Sequence, residues 1–212
     1  MQRRHKRLCI ALAVLVITAS AGGWLAIQHG QWLLSALGMA NDVRETIPGS
    51  DNWAMPTKLI GIENFHKVSD DLYRGAQPTA EGMKALEKIG IRTVFNLRSL
   101  HSDRDELVGT GLMYEHVTMK TWNPKHRDFV QFLKTATDPN KTPVFVHCQR
   151  GSDRTGTMCA AYRIVVQGWP RQQALDEMTR GGFGFYSGWR DLVACINTLD
   201  AERLRKDVGL AP

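Results

Sequence analysis

Residues 144–156 read VFVHCQRGSDRTG. Val144 to Val146 are the apolar run of a buried strand, and Arg154 onward reads as a helix. The turn between them holds His147, Cys148, Arg150, Gly151 and Arg154. A strand, a Gly-containing turn and a helix start, in that order, gather backbone N–H groups and the positive end of a helix dipole around one point. That is an anion site.

Every residue of the turn has a part in such a site. The local field favours Cys148 as a thiolate nucleophile. Arg154, six residues on, reaches back to hold two oxygens of a tetrahedral anion. Gly151 relieves crowding where the chain reverses. His147 holds the loop through its ring N–H, and the Thr155 hydroxyl donates toward the sulfur and eases its departure. Gln149, Arg150, Ser152 and Asp153 complete the expected substrate-binding loop.

Outward from this turn, strand-like and helix-like segments alternate. FHKVSDDLYRG (65–75) reads as an antiparallel entry turning at Ser69 to Asp71, and 79–90 as a helix capped by Thr79 and stopped by Gly90. RTVFNLR and MYEHV read as strands, with loop and a short helix between them at 101–111. Asn123-Pro124 opens a helix through Thr135, with Asn as N-cap and Pro at the first helical position. Arg154 to Val166 is predicted as a helix, and 171–180 and 189–205 as two more. The alternation predicts an α/β domain with a central, mostly parallel sheet flanked by helices. Ligands of such sheets bind beyond the carboxyl ends of the strands, where the 147–155 turn lies.

The net charge of +6 is concentrated at one end. Of 27 Lys and Arg, four (Arg3, Arg4, Lys6, Arg7) lie in the first seven residues, leaving 23 against 21 acidic residues. A body so close to neutral lacks the footprint of a nucleic-acid binder. After the basic patch, the 20 residues from Leu8 to Ile27 carry no charge. That length spans a bilayer, while Ala19-Ser20-Ala21 fits a signal-peptide cleavage site. Both readings send the rest of the chain across the membrane. With no formal charge between Arg7 and Asp42, and Trp24 and Trp32 placed like an interfacial belt, a retained anchor is the favoured expectation. The expected organisation is an anchor or signal at 1–27, a connector at 28–62 and a catalytic domain at 63–208.

Four cysteines, Cys9, Cys148, Cys159 and Cys195, form no closely spaced disulfide framework and no paired zinc-ligand pattern. A free thiol in an oxidising compartment has a reason to persist if it is a nucleophile.

Residues 147–155, H-C-x-x-G-x-x-R-T, resemble the H-C-x5-R-[S/T] signature of the cysteine-dependent protein tyrosine phosphatase superfamily. FHKVSDDLYRGAQPT, RTVFNLR, YRIVVQGW and RGGFG extend the likeness to the compact bacterial dual-specificity phosphatases, over roughly residues 65–200. The resemblance implies attack by Cys148 on phosphorus, oxygens held by Arg154 and the loop amides, and a phosphocysteine hydrolysed by water. It implies a phosphorylated protein substrate, no cofactor and no metal.

One part of the pattern departs. The proton donor for the leaving oxygen is normally an Asp on the loop between the preceding strand and helix. Here VTMKTWNPKHR holds no carboxylate between Glu115 and Asp128, and Trp122 falls near the expected position. Asp153 is the substitute placed in the site. Its alternative is a carboxylate that pairs with Arg150 or caps the helix. Asp128 and His126 are further candidates, with helix-dipole and solvent-exposed roles as their plainer readings. Arg74 and Arg98 either meet the phosphate or form salt bridges. Trp169, Phe183, Phe185 and Trp189 are expected to pack the C-terminal helices. A phosphoinositide or inositol phosphate phosphatase, and a weakly catalytic phosphate-binding module, stay open as alternatives.

Overall fold

The computed structural model describes residues 49–210. The predicted helix at 1–27 lies outside them, and no helix among the described residues is long and apolar enough to cross a membrane. The strands are β1 (Met55–Pro56), β2 (His66–Lys67), β3 (Leu72–Gly75), β4 (Thr93–Asn96), β5 (Met113–His116) and β6 (Val144–His147). They form one sheet in the order β1-β2-β3-β6-β4-β5. β3, β6, β4 and β5 pair in parallel, whereas β1 and β2 add antiparallel to one edge. The expected mostly parallel sheet is therefore mixed, with a parallel centre.

The helices are α1 (Ala80–Lys88), α2 (His126–Ala136), α3 (Asp153–Val165), α4 (Arg171–Arg180), α5 (Arg190–Asn197) and α6 (Ala201–Val208). Both sheet faces are covered, which explains the unbroken apolar run of β6. Val144 and Val146 join the core under α2, α3 and the C-terminal helices. Phe145 points the other way, with Phe65, Met83, Leu86 and Val94, under α1. Each such side chain contributes about 1.5–3 kcal/mol when fully buried.

The register decides where the site opens. His147 ends β6 level with Gly75 on β3 and Asn96 on β4. Cys148 thus leaves the sheet at its carboxyl edge, between two parallel neighbours.

Several local expectations hold. The Thr79 side chain caps α1 by accepting from the Gly82 amide at 3.1 Å, and Gly90 follows its end at φ 90°. Others need correction. Asn123 is not the cap of α2: the helix starts at His126, and the Lys125 amide donates to the Asp128 carboxylate at 3.0 Å. Residues 104–109 form turns and no helix. The predicted helix at 189–205 is two, because Asp200 accepts from the Arg203 amide and starts α6 afresh. Residues 52–62, assigned to the connector, belong to the fold: Trp53 and Ala54 are buried and β1 pairs with β2.

Candidate active site

Cys148 is 3% exposed and follows directly on β6, and the chain then turns through Gln149–Ser152 into α3. Gly151 sits at φ 70°, and a Cβ there would lie 2.3 Å from the Gly75 backbone carbon. Glycine is required on both counts. The loop is tied down from three sides. The Gln77 amide donates to the Gln149 carbonyl at 3.2 Å. Asn64, a non-glycine residue at φ 54°, bridges the Arg150 and Phe183 carbonyls at 3.0 and 2.9 Å. Arg74 Nη2 donates to the Gly151 carbonyl at 2.8 Å.

Arg154, in the first turn of α3, is held by a hydrogen bond from Nη1 to the Leu97 carbonyl at 3.1 Å. The Leu97 carbonyl continues β4, so the sheet edge orients the guanidinium. The Arg150 and Gln149 side chains are exposed at the mouth of the loop, and Ser152 is buried. Thr155 is fully buried, and its Oγ1 makes no hydrogen bond, neither to Cys148 nor to anything else. An unsatisfied buried hydroxyl is uncommon and fits a donor waiting for a charge that forms during reaction.

His147 is fully buried, with Nδ1 at 3.1 Å from the Cys148 carbonyl and Nε2 at 2.7 Å from Asp103 Oδ2. The first contact ties the ring to the start of the loop. The second brings in Asp103, itself 0% exposed and unrecognised in the sequence.

Asp153, expected as proton donor, has both oxygens engaged as acceptors. Oδ1 takes the Tyr186 amide at 2.8 Å and Oδ2 the Ser152 hydroxyl at 3.1 Å. In this arrangement the side chain braces the 181–188 loop. Asp128 is 5% exposed and caps α2, its plainer reading. His126 pairs with Asp207 at 2.7 Å in a groove between α2 and α6 that holds none of residues 147–155. Trp122 is 61% exposed.

Arg74 meets neither substrate space nor a carboxylate. It is 0% exposed, its guanidinium lies 3.8 Å from the centroid of the Phe183 ring, and its Nε and Nη1 have no partner. A buried cation under the loop is strongly unfavourable unless an anion sits nearby. Arg98 Nη1 instead donates to Gln77 Oε1 at 3.1 Å, supporting the residue that holds Gln149. Phe183, Phe185 and Trp189 pack against the core as expected, and the Arg163 guanidinium lies over the Trp169 ring, 4.1 Å from the ring centroid.

Residues 52–187 match the family described as "DSP-PTPase phosphatase fused to NAD+ Kinase". The chain is 33% identical over 185 residues to the dual specificity protein phosphatase TpbA of Pseudomonas aeruginosa, covering 85% of this chain and 81% of that one. A crystal structure of TpbA in complex with phosphotyrosine superimposes with a TM-score of 0.67 at 30% identity, over 77% of this chain and 99% of that chain. The inositol diphosphatase DSP5 of Arabidopsis thaliana is 31% identical over 159 residues, 70% of this chain and 75% of that one. With the matched region holding the whole strand, loop and helix around Cys148, the chain belongs to the cysteine-dependent dual-specificity and tyrosine phosphatase family, and is an enzyme of that class.

Proposed function

We propose that this enzyme hydrolyses phosphotyrosine monoesters in proteins through a phosphocysteine on Cys148, with its catalytic domain outside the cytoplasm. The observation that carries the reading is the buried Cys148 at the carboxyl end of β6, enclosed by a loop that closes on Arg154 in the first turn of α3.

In the first step the Cys148 sulfur attacks phosphorus and the P–O bond to the leaving group breaks. Arg154 and the loop amides hold the three remaining oxygens, and their charge is compensated in place without solvent rearrangement. In the second step water attacks the phosphocysteine, phosphate leaves, and the thiolate is restored, with the Thr155 hydroxyl donating to the departing sulfur.

With Asp153 engaged as a brace, residues 118–125 bring no carboxylate to the leaving oxygen. The reaction then depends on how readily the leaving group departs unprotonated. A tyrosine phenol, with its ordinary pKa of about 10, leaves far more easily than the alcohol of serine or threonine. Phosphotyrosine is therefore the preferred ester. A diphosphate, whose leaving group is itself a phosphate, suits the same site. The relative named inositol diphosphatase and the cationic Lys120, Lys125 and Arg127 of the 118–127 segment favour it as the second reading.

The basic patch and uncharged stretch at 3–27 support the outward location. Phosphotyrosine peptide, phosphoserine peptide and an inositol diphosphate, offered in parallel to the wild type and to Cys148→Ser, test the reading. Turnover of the phosphotyrosine peptide that Cys148→Ser abolishes is expected. Activity persisting in Cys148→Ser overturns the covalent step, and faster turnover of the diphosphate replaces the first reading with the second.

A further inference from the structure

His101, Asp103 and Glu106 share one short stretch, HSDRDE (101–106), on the loop after β4. One donor atom from each falls within 4.8 Å of the other two. His101 Nε2 is 3.2 Å from Glu106 Oε1 and 3.6 Å from Asp103 Oδ1. Neither approach is a hydrogen bond: Nε2 is a buried atom without a hydrogen-bond partner, and so is Glu106 Oε2. Two unsatisfied buried polar atoms on neighbouring side chains call for a third body, and a bound ion is one that satisfies both.

Asp103 is fixed in place to meet it. Its Oδ1 accepts from Gln77 Nε2 at 2.9 Å and Asn96 Nδ2 at 3.0 Å, and its Oδ2 lies 2.7 Å from His147 Nε2. An ionised carboxylate offers about four lone-pair positions, so three nitrogen partners leave one acceptance open. Asn96 Nδ2 also donates to the His101 carbonyl at 3.0 Å, and the Tyr114 hydroxyl accepts the Asp103 amide at 3.1 Å. β4 and β5 thus hold the backbone that carries two of the three side chains.

The distances select the ion. Two ligand atoms about 2.1 Å from a tetrahedral ion stand roughly 3.4 Å apart, and the observed 3.2 and 3.6 Å bracket that spacing. Octahedral magnesium brings neighbouring ligands to roughly 2.9 Å, and calcium takes oxygen alone. One imidazole with two carboxylates suits zinc. The His101 and Glu106 side chains are 32% and 24% exposed, which gives the ion a path in and room for a water.

We propose that His101, Asp103 and Glu106 bind one zinc ion, with water as the fourth ligand, in a structural site that fastens the 101–106 loop to the ends of β4 and β6. The ion takes no part in phosphoryl transfer, and the site stands whether or not the phosphatase reading does.

The test uses the full-length chain carrying Cys148→Ser, which removes the thiol most able to capture zinc by itself. That parent is compared with His101→Gln and Glu106→Gln in the same background, by equilibrium dialysis against micromolar free zinc and by thermal melting with and without the metal. One zinc per parent chain is expected, with a raised melting temperature. Each variant should lose at least the roughly 10- to 100-fold in affinity that residues merely orienting a metal's ligands contribute. Cobalt(II) in place of zinc should give the intense visible bands of a tetrahedral ion, and magnesium should leave the melting temperature unchanged. No zinc retained by the parent, or equal retention by parent and both variants, overturns the proposal and leaves His101 an imidazolium between two carboxylates. If a variant does not fold, X-ray absorption of the zinc-loaded parent decides. A shell of nitrogen and oxygen at about 2.0–2.1 Å is expected, and sulfur at about 2.3 Å overturns the proposal.

Discussion

Asp153 Oδ1 accepts the Tyr186 backbone N–H at 2.8 Å, fastening the loop after α4 to the first residue of α3. Tyr186 is 53% exposed and sets its ring at 83° to that of Trp189, 6.2 Å away. One carboxylate therefore couples the phosphate-binding loop to an aromatic rim. Asp153→Ala deletes a charge-assisted hydrogen bond of about 1.5 kcal/mol, which corresponds to roughly a tenfold higher KM for a phosphotyrosine peptide. The basic side of the kcat profile is expected to be the same as in the wild type. Asp153→Asn keeps an oxygen for Tyr186, so a change on that side in this variant would instead identify Asp153 as the proton donor.

Arg74 and Gly151 are joined by the 2.8 Å bond from Nη2, while two other guanidinium nitrogens stay unpaired in the core. Replacing a buried charge by an apolar side chain of similar volume is often neutral or stabilising for the fold. Arg74→Met should therefore leave the melting temperature unchanged or raised. The same change frees the Gly151 carbonyl and removes a positive charge from under the anion site, so kcat/KM on an aryl phosphate should fall by roughly tenfold to hundredfold. A variant that melts much earlier and keeps its specific activity would show that Arg74 serves folding alone.

These two residues also mark the limit of what the sequence discloses. The 144–156 turn is legible because its chemistry is local: strand, glycine, Cys and Arg are adjacent, and their spacing alone places them at a strand end. The parallel centre follows from the alternation of segments. Arg74 reads as an ordinary strand cation, because nothing nearby in sequence announces that Phe183 will cover it. Asp103 lies 44 positions from His147, and a hydrogen bond from the loop after β4 to the end of β6 leaves no periodic trace. β1 is two exposed residues, Met55 and Pro56, too short to carry an alternation. For Asp153 the sequence offers brace and acid equally, and the bracing contacts show only in the positions of Tyr186 and Ser152.

Arg163 and Glu177 join α3 to α4 through a two-pronged ion pair, both contacts 2.7 Å and both side chains 3% exposed. Glu177 also accepts the Ala54 amide at 2.6 Å, and Arg163 donates to the Val68 and Asn52 carbonyls. The pair thus locks the segment before β1 onto the helices. Glu177→Ala strands a buried guanidinium and should cost about 3–5 kcal/mol in denaturant unfolding. Joint replacement of both residues by apolar ones of similar size should recover much of that loss; a double variant no better than Glu177→Ala would mean that the backbone contacts, and not the charge pair, hold the segment.

Cys159 lies within α3, 2% exposed, and burial pushes its thiol up to about 11, with Arg74 only partly offsetting it. Burial likewise raises Cys195 and Tyr162. The sign of the consequence is fixed by linkage. Above the ordinary thiol value of 9.0 the unfolded chain releases a proton that the folded chain still holds, so stability falls as pH rises through this window. Below it the group has no effect. For Cys159 alone the loss approaches about 2–3 kcal/mol once pH exceeds the folded value. Urea unfolding of the wild type and Cys159→Ala at pH steps from neutral to about pH 11 measures it. The wild-type curve should decline more steeply than that of Cys159→Ala, and parallel curves would show that Cys159 ionises no less easily in the fold than out of it. The same thiol should resist iodoacetamide at neutral pH, leaving Cys148 as the reactive one of the two.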